Sequence, residues 1–322
     1  MAIPEIILSS GNAKAMPVLG PGLGTLDPTP EFLTSMIKAV LEAIELGYRM
    51  FDTASFYRTE EALGEAISQS ISCGLIKSRD ELFITSKIWL NDNYGDCVLP
   101  ALQKSLRDMK LDYVDQYLIH FPMSMKAGSN PFRLNPEDFV PMDIKSVWTA
   151  MEECQTLGLA KSIGVSNFTC KKIADILAFA KIPPAINQVE MNPAWQQGKL
   201  REYCQANGIK IAAYSPLGAA GAFWGTKDVL ESKVLMGIAE SKGKSVAQIA
   251  LRWAYEQGVI IVTKSHNKER LKQNLEIFEW GLSEEESKKI AALPQRRAGL
   301  GHMFISDTGP FKSVADIWDG EL

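Results

Sequence analysis

Short apolar runs, each closing on a polar or charged residue and followed by a stretch of helical spacing, recur eight times along this chain. The runs are Val18 to Gly20, Tyr48 to Thr53, Leu82 to Ser86, Val114 to Ile119, Ser162 to Val165, Ile186 to Val189, Ile209 to Tyr214, and Val259 to Val262. Most are continuous rather than alternating, which is how parallel strands buried on both faces read. The stretches between them space apolar residues three and four apart, as in Val147, Ala150, Met151, Cys154 and Leu157 or in Leu99, Leu102, Leu106 and Met109. Strand–helix alternation over most of the chain predicts an α/β fold, a parallel (β/α)8 TIM barrel. Ahead of it, Glu5 to Leu8 and Met16 to Val18 flank Gly11-Asn12 and predict a hairpin over 5–18 that closes the barrel bottom. The barrel then runs to about 293 and a tail covers 294–322. With no 20- to 50-residue repeat and no low-complexity linker, residues 1–322 read as one domain.

Three segments fall outside the repeat: Phe121 to Met142, Pro216 to Lys227, and Pro294 to Leu322. The first and third contain many Pro, Gly and aromatic residues and exceed usual loop lengths. They read as lids or binding loops over the barrel face, with surface insertion as the alternative.

Composition narrows the function classes. A net charge of −4 lacks the basic excess that nucleic acid demands. No apolar run approaches the roughly 20 residues of a membrane span, and Met-Ala-Ile-Pro-Glu opens no signal peptide. Five widely spaced cysteines, with no C-x-x-C pair, suit reduced thiols and a cytoplasmic location. Asn167-Phe168-Thr169 fits the glycosylation sequon and is read as coincidence, and Asp319-Gly320-Glu321-Leu322 matches neither a prenylation box nor a common sorting signal.

Several familiar motifs fail. Gly20-Pro21-Gly22-Leu23-Gly24-Thr25 spaces its glycines G-x-G-x-G and leads into Asp27-Pro28-Thr29-Pro30 rather than a helix, so it reads as a flexible loop at the first strand, not a dinucleotide fingerprint. No Tyr opens a Y-x-x-x-K pattern, and Gly164 to Phe168 breaks G-x-S-x-G at its last position. With three histidines in all and no H-E-x-x-H, no metal site is expected.

Two constellations survive. The first is Asp52, Tyr57, Lys87 and His120, at or just after the ends of strands two, three and four, where a barrel gathers residues distant in sequence. A phenol with a pKa near 10 is a weak acid at neutral pH. A buried ammonium beside it favours the phenolate and makes Tyr57 a better proton donor. Asp52 keeps Lys87 charged and fixed, and His120 donates a hydrogen bond to a carbonyl oxygen. The bland alternative is an Asp52–Lys87 ion pair plugging the barrel, with Tyr57 and His120 as core residues. The second constellation is Lys264-Ser265-His266, then Arg270, Gln273 and Asn274, at strand eight and the following helix start, a common phosphate site in barrels.

The ordered motifs D-T-A-x-x-Y, S-K, L-I-H, G-V-S-N-F, N-Q-V-E, Y-S-P-L-G and T-K-S…R…Q-N resemble the aldo-keto reductase superfamily over almost the whole chain. Gly74 to Thr85, Met151 to Cys154 and Thr308 to Lys312 resemble the plant branch that includes codeinone, chalcone and methylecgonone reductases and deoxymugineic acid synthase. The resemblance implies that Asp52, Tyr57, Lys87 and His120 form the catalytic tetrad and that the cofactor is NADPH. Ser166, Asn167 and Gln188 match positions holding the nicotinamide carboxamide, and Tyr214 the residue stacked on its ring. Gly24 and Thr25 lie beside the nicotinamide, and Ser215, Leu217 and Gly218 line the pyrophosphate. Lys264, Ser265, His266, Arg270, Gln273 and Asn274 match the 2′-phosphate and adenine site.

The departures are two extra residues in Gly20 to Thr25, Arg58-Thr59 in place of small residues, Phe121 in place of Trp, and His266 in place of Phe. Leu26, Phe56, Trp89, Phe121, Met123, Phe132, Trp224 and Phe304 are the candidate substrate-pocket residues. That apolar aromatic set predicts a bulky ketone or aldehyde as the small-molecule partner. The family's usual state implies a monomer. A carbonyl reductase of plant specialised metabolism, acting on an alkaloid or a polyketide or phenolic ketone, is the favoured reading. The alternatives are a general aldehyde-detoxifying reductase, or a nicotinamide-binding sensor like the potassium-channel β-subunits.

Overall fold

A computed structural model describes residues 2–9 and 14–322. Strands β1 (Glu5–Ile6) and β2 (Met16–Pro17) pair antiparallel with Glu5 opposite Pro17, as the hairpin reading expects; its Gly11-Asn12 turn lies outside the described residues. The barrel strands are β3 (Leu19–Pro21), β4 (Met50–Asp52), β5 (Phe83–Ile88) and β6 (Val114–Ile119), then β9 (Ala160–Ser166), β10 (Ile186–Glu190), β11 (Lys210–Tyr214) and β12 (Ile260–Thr263). Between β6 and β9 lies a small antiparallel pair, β7 (Ser124–Met125) and β8 (Phe139–Val140). The eight barrel strands are all parallel, in the order β4-β5-β6-β9-β10-β11-β12-β3. The ring closes where Gly22 bridges Asp52 and the Leu23 N–H donates to the Asp52 carbonyl at 2.8 Å. All eight strands coincide with the apolar runs of the sequence.

The closure corrects the reading of Gly20 to Thr25 as a flexible loop. Leu19–Pro21 is strand, and the Gly22 N–H donates to the Thr263 carbonyl at 2.9 Å, so backbone bonds hold the segment on both sides. Gly20 is required there: a Cβ would stand 2.4 Å from the Met50 carbonyl oxygen, too close for any side chain.

Strand alternation divides the side chains between two layers. Met50, Phe83, Ile186, Ala212, Ile260 and Val262 fill the barrel interior, and Leu8 and Met16 from the hairpin segment pack into the same cluster. Phe51, Ile84, Tyr117 and Trp148 belong to the larger layer between strands and helices. The inward face of β4 therefore carries Met50 then Asp52, and that of β5 carries Phe83 then Lys87. A floor of apolar residues ends in polar groups at the mouth.

Helices α1 (Pro30–Glu45), α2 (Glu60–Ser72), α3 (Val98–Met109), α4 (Ile144–Thr156), α5 (Cys170–Leu177) and α6 (Gly198–Ala206) each follow a strand. Two helices, α7 (Lys233–Lys242) and α8 (Val246–Glu256), lie between β11 and β12, and α9 (Lys268–Leu275) and α10 (Glu284–Ala291) follow the last strand. Their starts are set by side-chain caps: Thr29, Asp143, Thr169 and Asn267 each accept a backbone N–H of the first turn. Gly64 brings α2 onto the end of α3, where a Cβ would meet the Met109 carbonyl oxygen at 2.3 Å. Gly64→Ala is expected to destabilise the protein by about 1–3 kcal/mol, read as a lowered urea midpoint; an unchanged midpoint would show that this contact yields. The tail crosses the barrel mouth with one 3₁₀ turn (His302–Phe304) and the short helix α11 (Val314–Trp318). Among the described residues no helix is long and apolar enough to cross a membrane.

Candidate active site

The first constellation converges. Lys87 is fully buried, and its Nζ donates to Asp52 Oδ1 at 2.5 Å and to the Thr53 carbonyl at 2.9 Å. Asp52 is buried beside it, and its second oxygen accepts from Gln188 Nε2 at 2.7 Å. Tyr57 sits in the 3₁₀ turn Ser55–Tyr57 that follows β4, with its ring centre 5.1 Å from Lys87 Nζ and its hydroxyl 3.3 Å from His120 Nε2. The turn is held because Ser55 Oγ donates to the Lys87 carbonyl and Arg58, at φ 54°, closes it.

Electrostatics fix the protonation states. Burial, reinforced by the Asp52 charge, pushes the Tyr57 phenol well above its ordinary value. Burial also depresses His120 far below the usual histidine range, with Lys87 adding to the effect. Lys87 itself is lowered by burial and pulled back up by Asp52. This reverses the direction expected for Tyr57. Lys87 donates hydrogen bonds to Asp52 and a carbonyl, so the phenol faces a compensated ion pair and burial dominates. Both Tyr57 and His120 are then neutral near pH 7. With its proton uptake moved to lower pH, His120 should leave no inflection near pH 6.5 in kcat/KM. Such an inflection, lost in His120→Asn, would contradict this assignment.

A hydrogen-bonded wall stands beside these groups. Asn167, at φ 64° just after β9, donates to the His120 carbonyl at 2.9 Å and to Ser166 Oγ at 3.1 Å, and accepts from the Tyr214 hydroxyl at 2.8 Å. Ser166 Oγ donates to the Gln188 carbonyl at 2.8 Å. Three strand ends, β9, β10 and β11, are thereby locked to the residue that follows β6.

Residues 19–294 match the model of the Aldo/keto reductase family. The chain belongs to the aldo/keto reductases. It is 54% identical over 322 residues to the (1S)-1,7-diacetoxy-luvungin A aldo-keto reductase of Citrus sinensis, spanning 100% of this chain and 99% of that one. It is 52% identical over 307 residues to deoxymugineic acid synthase 1 of Hordeum vulgare, spanning 95% of this chain and 97% of that one. Among solved structures it is similar to a Bombyx mori aldo-keto reductase in complex with NADP, with a TM-score of 0.81 and 36% identity over 92% of this chain and 95% of that one.

Within this reductase the second constellation lies around the entry to α9. Lys264 Nζ donates to the Gly24 carbonyl at 2.7 Å, spanning from the end of β12 to the segment after β3. His266 packs on Phe32 with ring centres 5.0 Å apart. Ser265 Oγ accepts from the Asn267 N–H at 3.2 Å, Asn267 caps α9 through the Arg270 N–H, and Asn274 is buried. Arg270 and Gln273 lie on the first turns of the same helix, and Arg270 pairs with no carboxylate among the described residues. Gly24 faces the Tyr57 ring, where a Cβ would stand 3.3 Å away, and Thr25 follows it. Ser215 and Gly218 both have positive φ, at 51° and 78°, in the turn after β11 that also carries Leu217.

The aromatic set assembles on one side of the mouth. Phe56 stacks on Trp89 at 3.9 Å and faces Phe132 at 6.0 Å; Trp89 meets His120 edge-on at 4.9 Å, and Phe121 packs on Phe304 at 5.3 Å. Leu26 and Phe132 are exposed at the rim, with the Arg58 guanidinium 4.6 Å above the Phe132 ring and donating to the Leu26 carbonyl. Trp224 stands apart, edge-on to Tyr214 at 6.3 Å. Met123 is entirely buried, and Trp89 and Phe304 nearly so; these three back the half-buried Phe56 and Phe121.

Two supporting residues escaped the sequence reading. Asn93 is buried and donates to the Phe121 and Met123 carbonyls at 3.0 and 2.7 Å, fixing the loop after β6. It lies in the polar stretch Asn91-Asp92-Asn93, which carries no periodic signal. Glu190, buried at the end of β10, accepts from the Ala298 and Gly299 N–H groups at 3.0 and 2.8 Å and ties down the tail. Glu190 closes the N-Q-V-E motif, whose charged strand end is the one sequence signal of this role.

Proposed function

We propose that this aldo/keto reductase reduces a bulky, largely apolar ketone or aldehyde to its alcohol with NADPH, in plant specialised metabolism. The observation that carries the reading is the convergence of a neutral phenol, a neutral imidazole and a buried lysine–aspartate pair at one barrel mouth. When bound, the nicotinamide cofactor supplies hydride to the carbonyl carbon. His120 donates from its Nε2 to the carbonyl oxygen and orients it. Tyr57 then gives up its hydroxyl proton to that oxygen: the phenol O–H breaks, an alcohol O–H forms, and the phenolate left behind lies near the Lys87 ammonium, which stabilises it. Asp52 holds Lys87 in place and charged. The stacked Phe56–Trp89 pair with Phe121 and Phe132 excludes water from one side and accepts apolar surface.

The chain's own features suit the cofactor. Gly24 leaves room beside Tyr57, and positive φ at Asn167 and Ser215 turns the backbone at two strand ends. A buried His266 Nε2 has no hydrogen-bond partner among the described residues. The Gln188 side chain spends an N–H on Asp52, and its Oε1 accepts from no described group. Both amide protons of Asn167 are engaged within the protein, so its Oδ1 is the atom that would meet a carboxamide N–H. Lys264 and Arg270 would meet the 2′-phosphate, with Lys264 exchanging its bond to the Gly24 carbonyl.

Charge-assisted hydrogen bonds are worth about 1.5–3 kcal/mol. Arg270→Met is therefore expected to weaken NADPH by about one to two orders of magnitude while NADH changes little. Paired fluorescence titrations check this; equal losses for both cofactors would assign Arg270 to the fold or the adenine. Steady-state NADPH oxidation against a panel of aldehydes and ketones tests the function itself. Turnover favouring polycyclic or aromatic ketones supports it, and tight NADPH binding with no turnover on any carbonyl would favour a nicotinamide sensor instead.

A further inference from the structure

Asp319-Gly320-Glu321-Leu322 matched no sorting or lipidation motif, yet it is among the most heavily bonded parts of the tail. Asp319 ends α11 in the left-handed conformation, at φ 52°, and its Oδ2 accepts from Thr169 Oγ1 and from Lys172 Nζ, both at 2.5 Å. Lys171 Nζ lies 3.7 Å from the other oxygen. Lys172 Nζ also donates to the Ile317 carbonyl at 2.9 Å. Both oxygens of Glu321 accept from the Cys170 N–H, at 3.0 and 3.2 Å. Two carboxylates thus grip the first turn of α5, whose orphan N–H groups favour negative charge. Asp319 and Lys172 are both largely shielded, at 16% and 15% side-chain exposure, so this pair is worth more than a solvated one.

The grip has two ends. Upstream of Asp319, Ile317 and Trp318 are buried in the cluster that contains Trp89, Met123, Phe139 and Phe304. The Arg297 guanidinium stacks on Trp318 at 3.7 Å, and Trp318 Nε1 donates to the Leu300 carbonyl at 2.9 Å. At the other end, α5 begins three residues after Asn167, the residue bonded to His120 and Tyr214.

We propose that Asp319 and Glu321 are positioning residues that latch the tail to α5 and so hold the roof of the substrate pocket, the Trp89, Phe121 and Phe304 cluster on which the tail packs, in its binding-competent arrangement. The proposal rests on the carbonyl-reductase reading for its pocket, and on the tail geometry alone for the latch. Releasing the latch lets Ile317 and Trp318 leave the cluster for part of the time. A carbonyl that needs the roof then binds only the competent fraction, and its apparent affinity falls by that fraction. A carbonyl too small to reach the roof is unaffected.

The test compares wild type with Asp319→Asn, Glu321→Gln and the double variant. Asn tolerates the left-handed conformation, so Asp319→Asn removes charge without backbone strain. With 9,10-phenanthrenequinone as bulky probe and propanal as small one, the double variant is expected to raise KM for the quinone about five- to tenfold. Its kcat on the quinone, its kcat/KM on propanal and its NADPH affinity should stay within about twofold. Lys172→Met should reproduce the Asp319→Asn effect, Lys172→Arg should spare it, and the Lys172→Met/Asp319→Asn pair should add nothing to either single variant. Trypsin cleavage after the exposed Lys312 should accelerate in the released variants at urea concentrations well below the onset of global unfolding. Equal loss on both carbonyls, or unchanged KM and unchanged proteolysis, overturns the latch. Wild type that reduces neither probe would sink the reductase reading, and the trypsin rates would still decide whether the latch exists.

Discussion

Tyr57→Phe is expected to lose carbonyl reduction by about 10²–10⁴-fold while binding NADPH as tightly as wild type. The substitution removes one oxygen and leaves the ring between Gly24, Lys87 and His120. Burial favours the protonated phenol, so the proton is held near neutral pH and the reaction needs a means of releasing it. That means is the substrate itself. As negative charge develops on the carbonyl oxygen, it becomes the base that draws the proton, and Lys87 offsets the charge left on the phenolate. Rates from NADPH oxidation and affinity from fluorescence quenching separate the two effects. A Phe variant at near wild-type rate would remove Tyr57 from the chemistry, and a parallel loss of NADPH affinity would assign it to the cofactor pocket.

Lys87→Met carries the second large effect, on activity and stability together. Removing the ammonium leaves Asp52 buried with only the Gln188 amide and no cation, and breaking one partner of a buried pair costs about 3–5 kcal/mol. Activity should fall about as far as in Tyr57→Phe, since the phenolate loses its counter-charge. Two roles can be told apart by adding Asp52→Asn. The double variant should recover much of the lost stability, because no unpaired charge remains, and none of the lost activity. Recovery of activity in the double variant would mean that Lys87 serves only to neutralise Asp52.

These residues were legible because a barrel makes the strand end a privileged position, and because the strands are short apolar runs with unmistakable polar stops. Asp52 follows Met50-Phe51, and His120 follows six consecutive residues of β6. Lys87 was legible through its strand as well, although β5 runs one residue beyond it. The β1–β2 pair was visible from the two apolar stretches that flank Gly11-Asn12 in the sequence. The first strand was harder. Leu19–Pro21 is only three residues long, holds Gly20 and runs into Gly22, so its sequence reads as a loop as readily as a strand, while its role depends on approaching Met50 too closely for any Cβ.

The ionisation of Tyr57 was not legible at all. Sequence places a lysine near a tyrosine, but the net field depends on which acceptors take the ammonium protons, and those are Asp52 and a backbone carbonyl. The aromatic pocket was read as a set of equals. Packing separates it into an exposed rim of Leu26 and Phe132, a half-buried wall of Phe56 and Phe121, and a buried backing of Trp89, Met123 and Phe304. Burial depends on what crosses over each residue, and here that is the tail. Its attachments, Glu190 to the Ala298 and Gly299 amides and Asp319 to α5, join residues more than a hundred positions apart. No local pattern announces such pairs.

The most direct test of the central claim follows the transferred atoms. The protein is incubated with a bulky aromatic ketone and NADPH deuterated at the transferable position of the nicotinamide, and the product is analysed by mass spectrometry. The expected result is one deuterium on the carbinol carbon of the alcohol, formed by wild type and strongly diminished in Tyr57→Phe. NADPH binding with no labelled alcohol from any carbonyl offered, or labelled alcohol formed equally by the Phe variant, would contradict it.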